Sequence, residues 1–391
     1  MKDIYVVESL RTPFGSFGGA LSEIEAPRLG ETVIRAIVER TGLDPAAINE
    51  VILGQVLMGG AAQAPARQAM RYAGLPDSVH AMTINKVCGS GLKAIMLGAG
   101  SIALDEAELV IAGGMENMSL APFILKKARY GYRMGHSELL DLMVYDGLQD
   151  PFTGRHMGEI GDAAAARHGL SREAQDEFAI RSYSLAQKAV KEGIFKDEIV
   201  PVVKKSRKGE EVVADDEEPF KVDFEKLKQL RPAFTKEGTI TAGNASTIND
   251  GAALTLLADE TALNKHGLKP RARLVASSTN SLAPDLFPDA PVGAIGSVCS
   301  RAGLKISDID LFEINEAFSA VAMIAIRQCD LDLEKVNVNG GAVALGHPIG
   351  ASGGRLVATL VREMEKRQVR YGLATLCIGG GEAVAAIFER L

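Results

Sequence analysis

Three glycine-rich segments and one strand end carry residues that could act in covalent catalysis. Cys88 lies in NKVCGSGLKAI, His347 in NGGAVALGHPIGASGGR and Cys377 in CIGGG, while Asn315 follows a short apolar run in INEAF. A thiol and a histidine can act as a nucleophile and its base, and a second thiol can be an acid or base because its pKa can approach the working pH. The alternative for each cysteine is a small buried core residue.

The sequence around Cys88 predicts a strand over residues 81–85, a tight turn, and a helix that begins near Gly89. Gly89 and Gly91 give this turn its backbone freedom and let a substrate approach the main chain. The unpaired N–H groups and the positive dipole end of a helix N-terminus favour a thiolate. We therefore expect the pKa of Cys88 to lie below that of an ordinary cysteine.

The composition is that of a globular protein with more than one core. The chain has 391 residues, of which 47% are hydrophobic and 24% are charged. A chain of this length normally divides into two or more packed units. Its net charge of −7 and its lack of tryptophan argue against a nucleic acid or an anionic membrane surface as a partner.

The cysteine spacing and the length of the apolar runs predict a soluble protein of the cytoplasm. Cys88, Cys299, Cys329 and Cys377 form no CxxC or zinc pattern, so we expect reduced thiols and no metal site, with Cys299 and Cys329 as packing residues. The start, MKDIYVVESLRTPFG, reads as a strand and turn rather than a leader. No run approaches the ~20 apolar residues that a membrane span needs.

Strand-like and helix-like segments alternate in both end regions of the chain, which predicts an α/β fold with a mostly parallel sheet covered by helices. Three pairs of segments also resemble each other in the same order. These pairs are residues 33–57 with 294–318, 88–102 with 350–364, and 108–118 with 373–384. They predict an internal duplication, with two α/β halves related by a pseudo-twofold axis.

The predicted division of the chain follows from this repeat. Residues 1–118 form the N-terminal half, completed by residues 249–270, and residues 271–391 form the C-terminal half. Residues 119–248 are inserted as a loop, lid and oligomerisation region, which contains a helix with Ser171 as its N-cap.

Within the inserted region, KKSRKGEEVVADDEE predicts an exposed hairpin with opposed charges. Its basic residues are Lys204, Lys205, Arg207 and Lys208. The favoured interpretation is a solvated surface loop, and the alternative is a set of contacts for ligand phosphates. Because the chain is acidic overall, an anionic ligand would have to meet such a local patch.

The four reactive residues are predicted to meet at one edge of the fold. Asn315 and Cys377 stand at the carboxyl ends of predicted strands, and Cys88 and His347 stand in loops that precede helices. Open α/β sheets bind their ligands outside the carboxyl ends of strands. The duplication would bring the equivalent ends of both halves face to face.

At these same segments the sequence resembles the thiolases, and the resemblance extends from Met1 to Leu391. NKVCGSGLKAI, NEAF, GGAVALGHPIGASGGR and CIGGGEA are similar to the signature segments of that family. GRHMGEIGDAAAARHGLSREAQDEFA and TITAGNASTINDGAA are similar to the lid of its short-chain, biosynthetic type. The resemblance implies the thiolase fold, acyl-CoA and CoA as substrates, and no metal or redox cofactor.

The resemblance also implies a role for each reactive residue. Cys88 is the nucleophile that takes an acyl group from a coenzyme A thioester, and His347 is its base and a hydrogen-bond donor to the thioester oxygen. Cys377 is the second acid/base, which removes the α-proton of the incoming acetyl-CoA or protonates the leaving thiolate in reverse. Asn315, through a held water, completes one oxyanion site with His347, and the N–H groups of Cys88 and Gly379 form the other.

The substrate-binding residues are carried over in the same way. His156 and Met157 resemble acyl-pocket residues, and the remaining members of the set, most of which line the pantetheine tunnel, are Leu148, Phe234, Ala242, Ser246, Ala317 and Phe318. One segment departs from the family: PDLFPDAPVGA replaces a Met-Gly-x-Gly-Pro run, with Phe287 about where the methionine stands. We expect a stiffer loop and a differently shaped pocket, which leaves the acyl-chain preference open. His80, His136, His168 and His266 lack such context and are predicted to be surface or loop residues.

The activity that the resemblance implies is that of an acetyl-CoA C-acetyltransferase, which condenses two acetyl-CoA to acetoacetyl-CoA and runs the thiolysis in reverse. It also implies a homotetramer, a dimer of dimers, with residues 125–143 as the tetramerisation segment. One alternative is a degradative 3-ketoacyl-CoA thiolase for longer or dicarboxylic chains. A second is a ketoacyl synthase, whose site uses histidines where this chain has Cys377. The third is a non-catalytic acyl-CoA-binding relative, which would lack one of the four reactive residues.

Overall fold

The computed structural model describes residues 2–206 and 209–391. Its strands are β1 (Tyr5–Arg11), β2 (Gly15–Ser16), β3 (Glu50–Gly54), β4 (His80–Ile84), β5 (Leu109–Asn117), β6 (Phe123–Ile124), β7 (Leu140–Asp141), β8 (Val202–Ser206), β9 (Gly209–Val213), β10 (Asn249–Ala258), β11 (Ala272–Ser281), β12 (Leu311–Ile314), β13 (Tyr371–Ile378) and β14 (Glu382–Arg390). Its α-helices are α1 (Ala26–Thr41), α2 (Pro65–Tyr72), α3 (Ser90–Ala103), α4 (Met157–Arg167), α5 (Arg172–Lys191), α6 (Phe224–Leu227), α7 (Glu260–His266), α8 (Ala290–Ala302), α9 (Ser319–Gln328), α10 (Ala342–Leu345) and α11 (Ser352–Arg367). No helix in this part of the chain is long and apolar enough to cross a membrane.

The largest sheet has the strand order β12-β13-β14-β11-β1-β10-β5-β3-β4, with β2 paired to β10. The order is symmetrical about the β1–β11 pair, because β10, β5 and β3 on one side correspond to β14, β13 and β12 on the other. The segments matched in the sequence take equivalent places: α1–β3 corresponds to α8–β12, α3 to α11, and β5 to β13. An internal duplication produces such an arrangement.

The expectation of a mostly parallel sheet is wrong, because the sheet is mixed. β3 is parallel to β4 and β5, and β12 is parallel to β13. β10 is antiparallel to β1 and β5, and β14 is antiparallel to β11 and β13. The physical reason is clearest at β13–β14, where the chain turns within residues 379–381. So short a connection returns the chain antiparallel, and positive φ angles at Gly380 and Gly381 make the turn possible.

Helices α3 and α11 lie between the two halves. Leu92 and Ile95 of α3 and Leu356 and Leu360 of α11 share one hydrophobic core with residues of β5, β10, β13 and β14. Helices α1 and α2 pack on the other face of the first half, and α8 and α9 pack on the other face of the second. The residues that precede α3 and α11 are therefore placed near the centre of the fold.

The inserted region contains two elements that the sequence predicted. Ser171 caps α5, since its Oγ accepts a hydrogen bond from the N–H of Ala174 at 3.2 Å. Strands β8 and β9 form the predicted hairpin, with Lys204 opposite Glu211. The division of the chain after residues 118, 248 and 270 stays a prediction.

Candidate active site

The loops that carry Cys88 and His347 meet because the N-termini of α3 and α11 touch through glycines. A β-carbon on Gly91 would lie 2.9 Å from the backbone nitrogen of Gly354, and one on Gly353 would overlap the backbone of α3. Only residues without a β-carbon let two helices approach this closely. Cys88 lies just before α3 and His347 just before α11, so this contact brings both loops to one place.

The turn that presents Cys88 is strained. Val87 has a φ of +44°, a left-handed value that is rare for a β-branched residue and costs about 1–3 kcal/mol. The N–H of Val87 donates to Asn85 Oδ1 at 2.9 Å. Ser90 Oγ accepts from the N–H of Lys86 at 2.8 Å and donates to the carbonyl of Val87 at 2.7 Å. These bonds hold the turn and so fix the direction of the next side chain, Cys88.

The Cys88 thiol is protonated in the resting protein. Burial raises the pKa of Cys88 to about 11, while hydrogen bonds from the N–H groups of Gly379 and of Cys88 itself lower it, and the charge of Glu116 raises it. The expectation of a thiolate at the helix N-terminus is wrong, because desolvation outweighs the dipole and α3 begins only at Ser90. The two N–H groups that face the sulfur are the pair predicted for an oxyanion site.

His347 is a neutral base with a fixed tautomer. The single hydroxyl hydrogen of Ser352 is directed to the carbonyl of Pro348 at 2.9 Å. Nδ1 of His347 must therefore carry the proton in its 2.6 Å bond to Ser352 Oγ, which leaves Nε2 free to accept one. Burial lowers the pKa of His347 to about 3, and the positive charge of Arg355 contributes. The imidazole is thus uncharged at any pH at which the protein would work.

Asn315 and Cys377 reach the same place from neighbouring parallel strands. Asn315 directly follows β12, its N–H donates to the carbonyl of Thr375 on β13 at 3.0 Å, and its Nδ2 lies 3.4 Å from His347 Nε2. Its buried Oδ1 has no hydrogen-bond partner among the described residues. Cys377 is fully buried near the end of β13, and its pKa is raised well above the ordinary value by burial and by the charge of Cys88. The structure therefore places Cys377 and Gly379 beside Cys88 and Asn315 beside His347. The His347 loop adjoins Cys88 through Ile349.

A neutral thiol–imidazole pair has a testable pH signature. Because the pKa of Cys88 is raised to about 11 and that of His347 is lowered to about 3, the fraction of thiolate rises about tenfold per pH unit through the neutral range. We expect the rate of Cys88 alkylation by iodoacetamide, followed by peptide mass spectrometry, to rise steadily with pH. A plateau from acidic pH upward would instead indicate a preformed thiolate–imidazolium pair.

Most of the predicted substrate-binding residues gather around Cys377. Met157, Phe287, Ala317 and Phe318 form one buried apolar cluster with it. Phe234 packs against this cluster and meets the ring of Phe318 edge-on at 5.9 Å. The cluster thus gives Cys377 an apolar wall of the kind that small-molecule pockets have.

Three further members of the predicted set lie outside this cluster. The ring of His156 stacks on Phe234 at 4.8 Å, and His156 Nδ1 accepts from the N–H of Gly158, so the ring also caps α4. Ser246 donates to the carbonyl of Ala317 through both its N–H and its Oγ, at 3.0 Å each. Leu148 packs beside Cys88 in a separate apolar cluster.

One prediction and one of the alternatives find no support in the structure. Ala242 is exposed and belongs, within the described residues, to neither of the two apolar clusters. Lys204 lies 3.6 Å from Glu23 and lines a groove of about 840 Å³ along α1 that contains none of the predicted site residues. The favoured interpretation of a surface hairpin fits this position. The side chain of Lys205 and the residues Arg207 and Lys208 lie outside the described part of the chain.

A cavity of about 600 Å³ opens beside the reactive turn. Val87, Met157 and Gly379 line one side, and residues of the 145–154 segment line the other. This volume is in the range of small-molecule sites. Among the described residues, no cluster of three or more His, Cys, Asp or Glu side chains is arranged to hold a metal ion.

Sequence reasoning missed three residues that shape the site. Ser352, which fixes the His347 tautomer, stands where Ser90 stands in the other copy of the repeat, and its local sequence does not indicate this role. Glu116 accepts hydrogen bonds from the N–H groups of Val56 and Gly350 at 2.9 and 3.0 Å, so it joins the His347 loop to the wall near Cys88. Ala245 lies in the cluster around Cys377, and nothing in its local sequence distinguishes it from Ala242.

Comparison with known proteins agrees with this geometry. Residues 4–261 match the family model described as "Thiolase, N-terminal domain", and residues 268–390 match "Thiolase, C-terminal domain". The chain is 50% identical over 390 residues to an acetyl-CoA acetyltransferase of Thiocystis violacea, covering 99% of each chain. It is 47% identical over 392 residues to a probable acetyl-CoA acyltransferase of Staphylococcus aureus (strain COL), covering 100% of both.

The fold has a close counterpart among solved structures. The crystal structure of the Bacillus anthracis acetyl-CoA acetyltransferase superposes with a TM-score of 0.98 at 42% sequence identity, and the match covers 100% of this chain and 99% of that one. Since both family models together extend over nearly the whole sequence, the chain belongs to the thiolase family.

Proposed function

We propose that this thiolase is an acetyl-CoA C-acetyltransferase, which joins two acetyl-CoA molecules into acetoacetyl-CoA and free CoA and cleaves acetoacetyl-CoA in the reverse direction. The observation that carries the proposal is that two buried thiols, Cys88 and Cys377, lie close enough to interact. Cys88 also packs against the apolar cluster that contains Ile349, in the loop of the neutral imidazole of His347. Relatives at 50% identity are named for this activity, which supports the same substrate here. The chemistry needs CoA thioesters as substrates and no metal or redox cofactor.

The first half-reaction acylates Cys88. Nε2 of His347 accepts the thiol proton, and the sulfur attacks the carbonyl carbon of acetyl-CoA. The N–H groups of Cys88 and Gly379, which already face the sulfur, would hold the developing oxyanion, and losing one such donor typically costs about 10²–10³ in turnover. The CoA sulfur leaves with a proton from Cys377, because burial keeps Cys377 a thiol in the resting state.

The second half-reaction uses the groups in their altered protonation states. The Cys377 thiolate removes an α-proton from a second acetyl-CoA, and the resulting enolate attacks the acetyl group on Cys88. Protonated Nε2 of His347, with Asn315 beside it at 3.4 Å, would stabilise the enolate oxygen. Collapse of the tetrahedral intermediate releases Cys88, which recovers its proton from His347, and all four groups return to their starting states.

The test is a rapid acid quench of the protein mixed with acetyl-CoA, followed by intact and peptide mass spectrometry. We expect one acetyl group on the peptide that contains Cys88, and none in Cys88→Ala. Acetoacetyl-CoA should then accumulate when CoA is removed continuously. If no acyl-CoA leaves an adduct while Cys88 is demonstrably reduced, the protein is a non-catalytic acyl-CoA binder instead.

Phe287 is the feature that bears on acyl-chain length. It is buried in the apolar cluster with Cys377 and Met157, at the position where the family resemblance places a methionine. An aromatic ring there fills space that a longer acyl chain would need, which supports acetyl-CoA over the longer or dicarboxylic substrates of degradative 3-ketoacyl-CoA thiolases.

Phe287→Ala is expected to widen the acyl range. The ratio of Cys88 acylation rates for hexanoyl-CoA over acetyl-CoA should rise by about 10–10²-fold, the usual value for filling or emptying an apolar pocket. Because emptying a core position typically costs about 3–5 kcal/mol, thermal melting is measured alongside, and Phe287→Met serves as the well-packed control. An unchanged ratio in a folded Phe287→Ala would remove Phe287 from the acyl pocket.

A homotetramer in the cytoplasm is part of the same proposal. The segment 125–143 exposes large apolar side chains, with Tyr130 at 88% and Met134 at 98% exposure, and apolar groups that cluster on a surface mark contact sites between proteins. Light scattering of the purified protein gives the number of subunits directly.

A further inference from the structure

His347 is held at both ring nitrogens by residues on two different elements. Ser352, the first residue of α11, binds Nδ1 at 2.6 Å, and Asn315, directly after β12, lies 3.4 Å from Nε2. The distance between α11 and β12 therefore decides where the imidazole sits. A buried ion pair joins these same two elements: Arg355 Nη1 donates to Glu313 Oε2 at 2.6 Å.

The pair sits in register with the two residues that hold the imidazole. Arg355 lies three residues after Ser352, on the same side of α11. Glu313 lies two residues before Asn315, so both point to the same face of the strand. Helix α11 and strand β12 are thus joined twice. One link runs from Ser352 through His347 to Asn315, and the other is the ion pair of Arg355 and Glu313.

The ion pair is a poor candidate for a purely stabilising contact. Arg355 and Glu313 are only 1% and 2% exposed, and Nε and Nη2 of Arg355 have no hydrogen-bond partner among the described residues. Taking two charges out of water costs about as much as their attraction returns, and neutral replacements of such pairs are often tolerated or stabilising. Because the ion pair lies next to the elements that hold His347, it can act by positioning this imidazole.

We propose that Arg355 and Glu313 are positioning residues for the thiolase reaction: their ion pair clamps α11 to β12 and thereby sets the imidazole of His347 for proton transfer. This inference rests on the proposed function for the reaction that it serves. Neither side chain needs to touch the substrate. A small displacement of a catalytic group is enough to slow a reaction by about 10²-fold.

The charge of Arg355 acts in the same direction as the clamp. It opposes protonation of His347 and, with burial, lowers the pKa of that residue. The acidic groups near Arg355 are Glu313 and Glu316, whose pKa values burial raises. Near the His347 loop the acidic group is Glu116 of β5, which accepts a hydrogen bond from Gly350. Removing the guanidinium should therefore make His347 easier to protonate.

The test compares single variants with the charge-neutral double variant. Glu313→Gln leaves the guanidinium of Arg355 buried and unpaired, and Arg355→Met leaves a buried carboxyl whose pKa burial raises, so both variants should melt at lower temperature. The double variant leaves none, so its melting temperature should recover towards wild type. We expect Cys88 acetylation in the double variant to stay about 10–10²-fold slower, with little change in KM for acetyl-CoA. The acid limb of its pH–rate profile should move to higher pH, because the positive charge that opposes protonation of His347 is gone.

A matched control lies on the same helix. Arg362 of α11 donates to Glu8 of β1 at 2.6 Å, and its Nε also lacks a described partner. Arg362→Met combined with Glu8→Gln removes an ion pair that joins α11 to β1, a strand that does not hold His347, although Glu8 also pairs with Arg271. Its acetylation rate and pH profile should equal those of wild type.

The outcomes separate this inference from the proposed function. If wild type forms no acetyl-enzyme, the proposed function fails, but the clamp can still be tested without acyl-CoA by NMR of the His347 Nδ1 proton, which is bonded to Ser352 Oγ. We expect this proton to exchange with solvent faster in the Arg355→Met and Glu313→Gln double variant than in the Arg362→Met and Glu8→Gln control. A folded double variant that acetylates as wild type does, with unchanged proton exchange and an unmoved acid limb, would overturn the proposal.

Discussion

Replacement of His347 by alanine is expected to slow acetylation of Cys88 by about 10³-fold near neutral pH, the usual contribution of a general base. Burial raises the pKa of Cys88 to about 11, so that only about one thiol in 10⁴ is ionised near pH 7 without help. His347 supplies that help, because burial and Arg355 lower its pKa to about 3 and its Nε2 is free to accept the proton.

The same variant should recover rate as the pH rises. Wild type uses a base that stays neutral between the two pKa values, so its acetylation rate should change little across the neutral and mildly alkaline range. His347→Ala depends on free thiolate and should gain about tenfold per pH unit. Rapid quench and mass spectrometry at a series of pH values measure both.

His266→Ala is the matched control, since His266 ends α7 and lies outside the clusters around the two thiols. It should behave as wild type at every pH. If His347→Ala acetylates within about threefold of wild type near neutral pH, His347 is not the base, and another group accepts the proton of Cys88.

The positions of the reactive residues could be predicted because each stands in a segment with its own local signal. Cys88 and His347 precede helices in glycine-rich loops, and Asn315 and Cys377 stand at strand ends. The internal repeat added the non-local information, since it predicted that α3 and α11 are equivalent elements. In the structure these two equivalent helices contact each other through Gly91 and Gly354.

The ionisation of Cys88 could not be predicted from the sequence, because it is a sum over the whole surroundings. The helix N-terminus is visible in the sequence and favours the thiolate, but the desolvation that outweighs it comes from residues such as Val56, Met118 and Ile349, which are far apart in the chain. The same holds for Ala242 and Ala245, since both precede similar small or polar residues and only packing separates them.

The sequence did not distinguish parallel from antiparallel strands for a related reason. A strand that is buried on both faces reads as a continuous apolar run whether its neighbours are parallel or antiparallel. β14 follows a three-glycine turn that is too short to hold a crossover helix. The helices α4 and α5 that precede β10 pack against α9 and α10 instead of marking a parallel neighbour. Whether these strands run parallel or antiparallel is therefore indicated by the residues that connect them and not by the strand sequences.

Replacement of Cys377 by alanine is expected to separate the two half-reactions. Acetyl-CoA should still acetylate Cys88, because the nucleophile, His347 and the N–H groups of Cys88 and Gly379 are intact, although loss of the acid for the CoA sulfur should slow this step about tenfold. Condensation should fall by about 10⁴-fold, at the upper end for general base catalysis, since His347 already carries the Cys88 proton in the acetyl-enzyme and cannot accept the α-proton. Burial of Cys377 raises its pKa, which makes its thiolate a strong base once formed.

Two measurements together test this separation. Mass spectrometry of the quenched variant should show acetyl-Cys88 that persists, whereas incubation of acetyl-CoA in heavy water should show no exchange of its methyl hydrogens. Cys329→Ala, which removes a half-buried cysteine from the core between α8 and α9, is the control and should condense and exchange as wild type does. If Cys377→Ala exchanges the methyl hydrogens at the wild-type rate, another group removes the α-proton. The proposed role of Cys377 as the second acid/base would then be wrong.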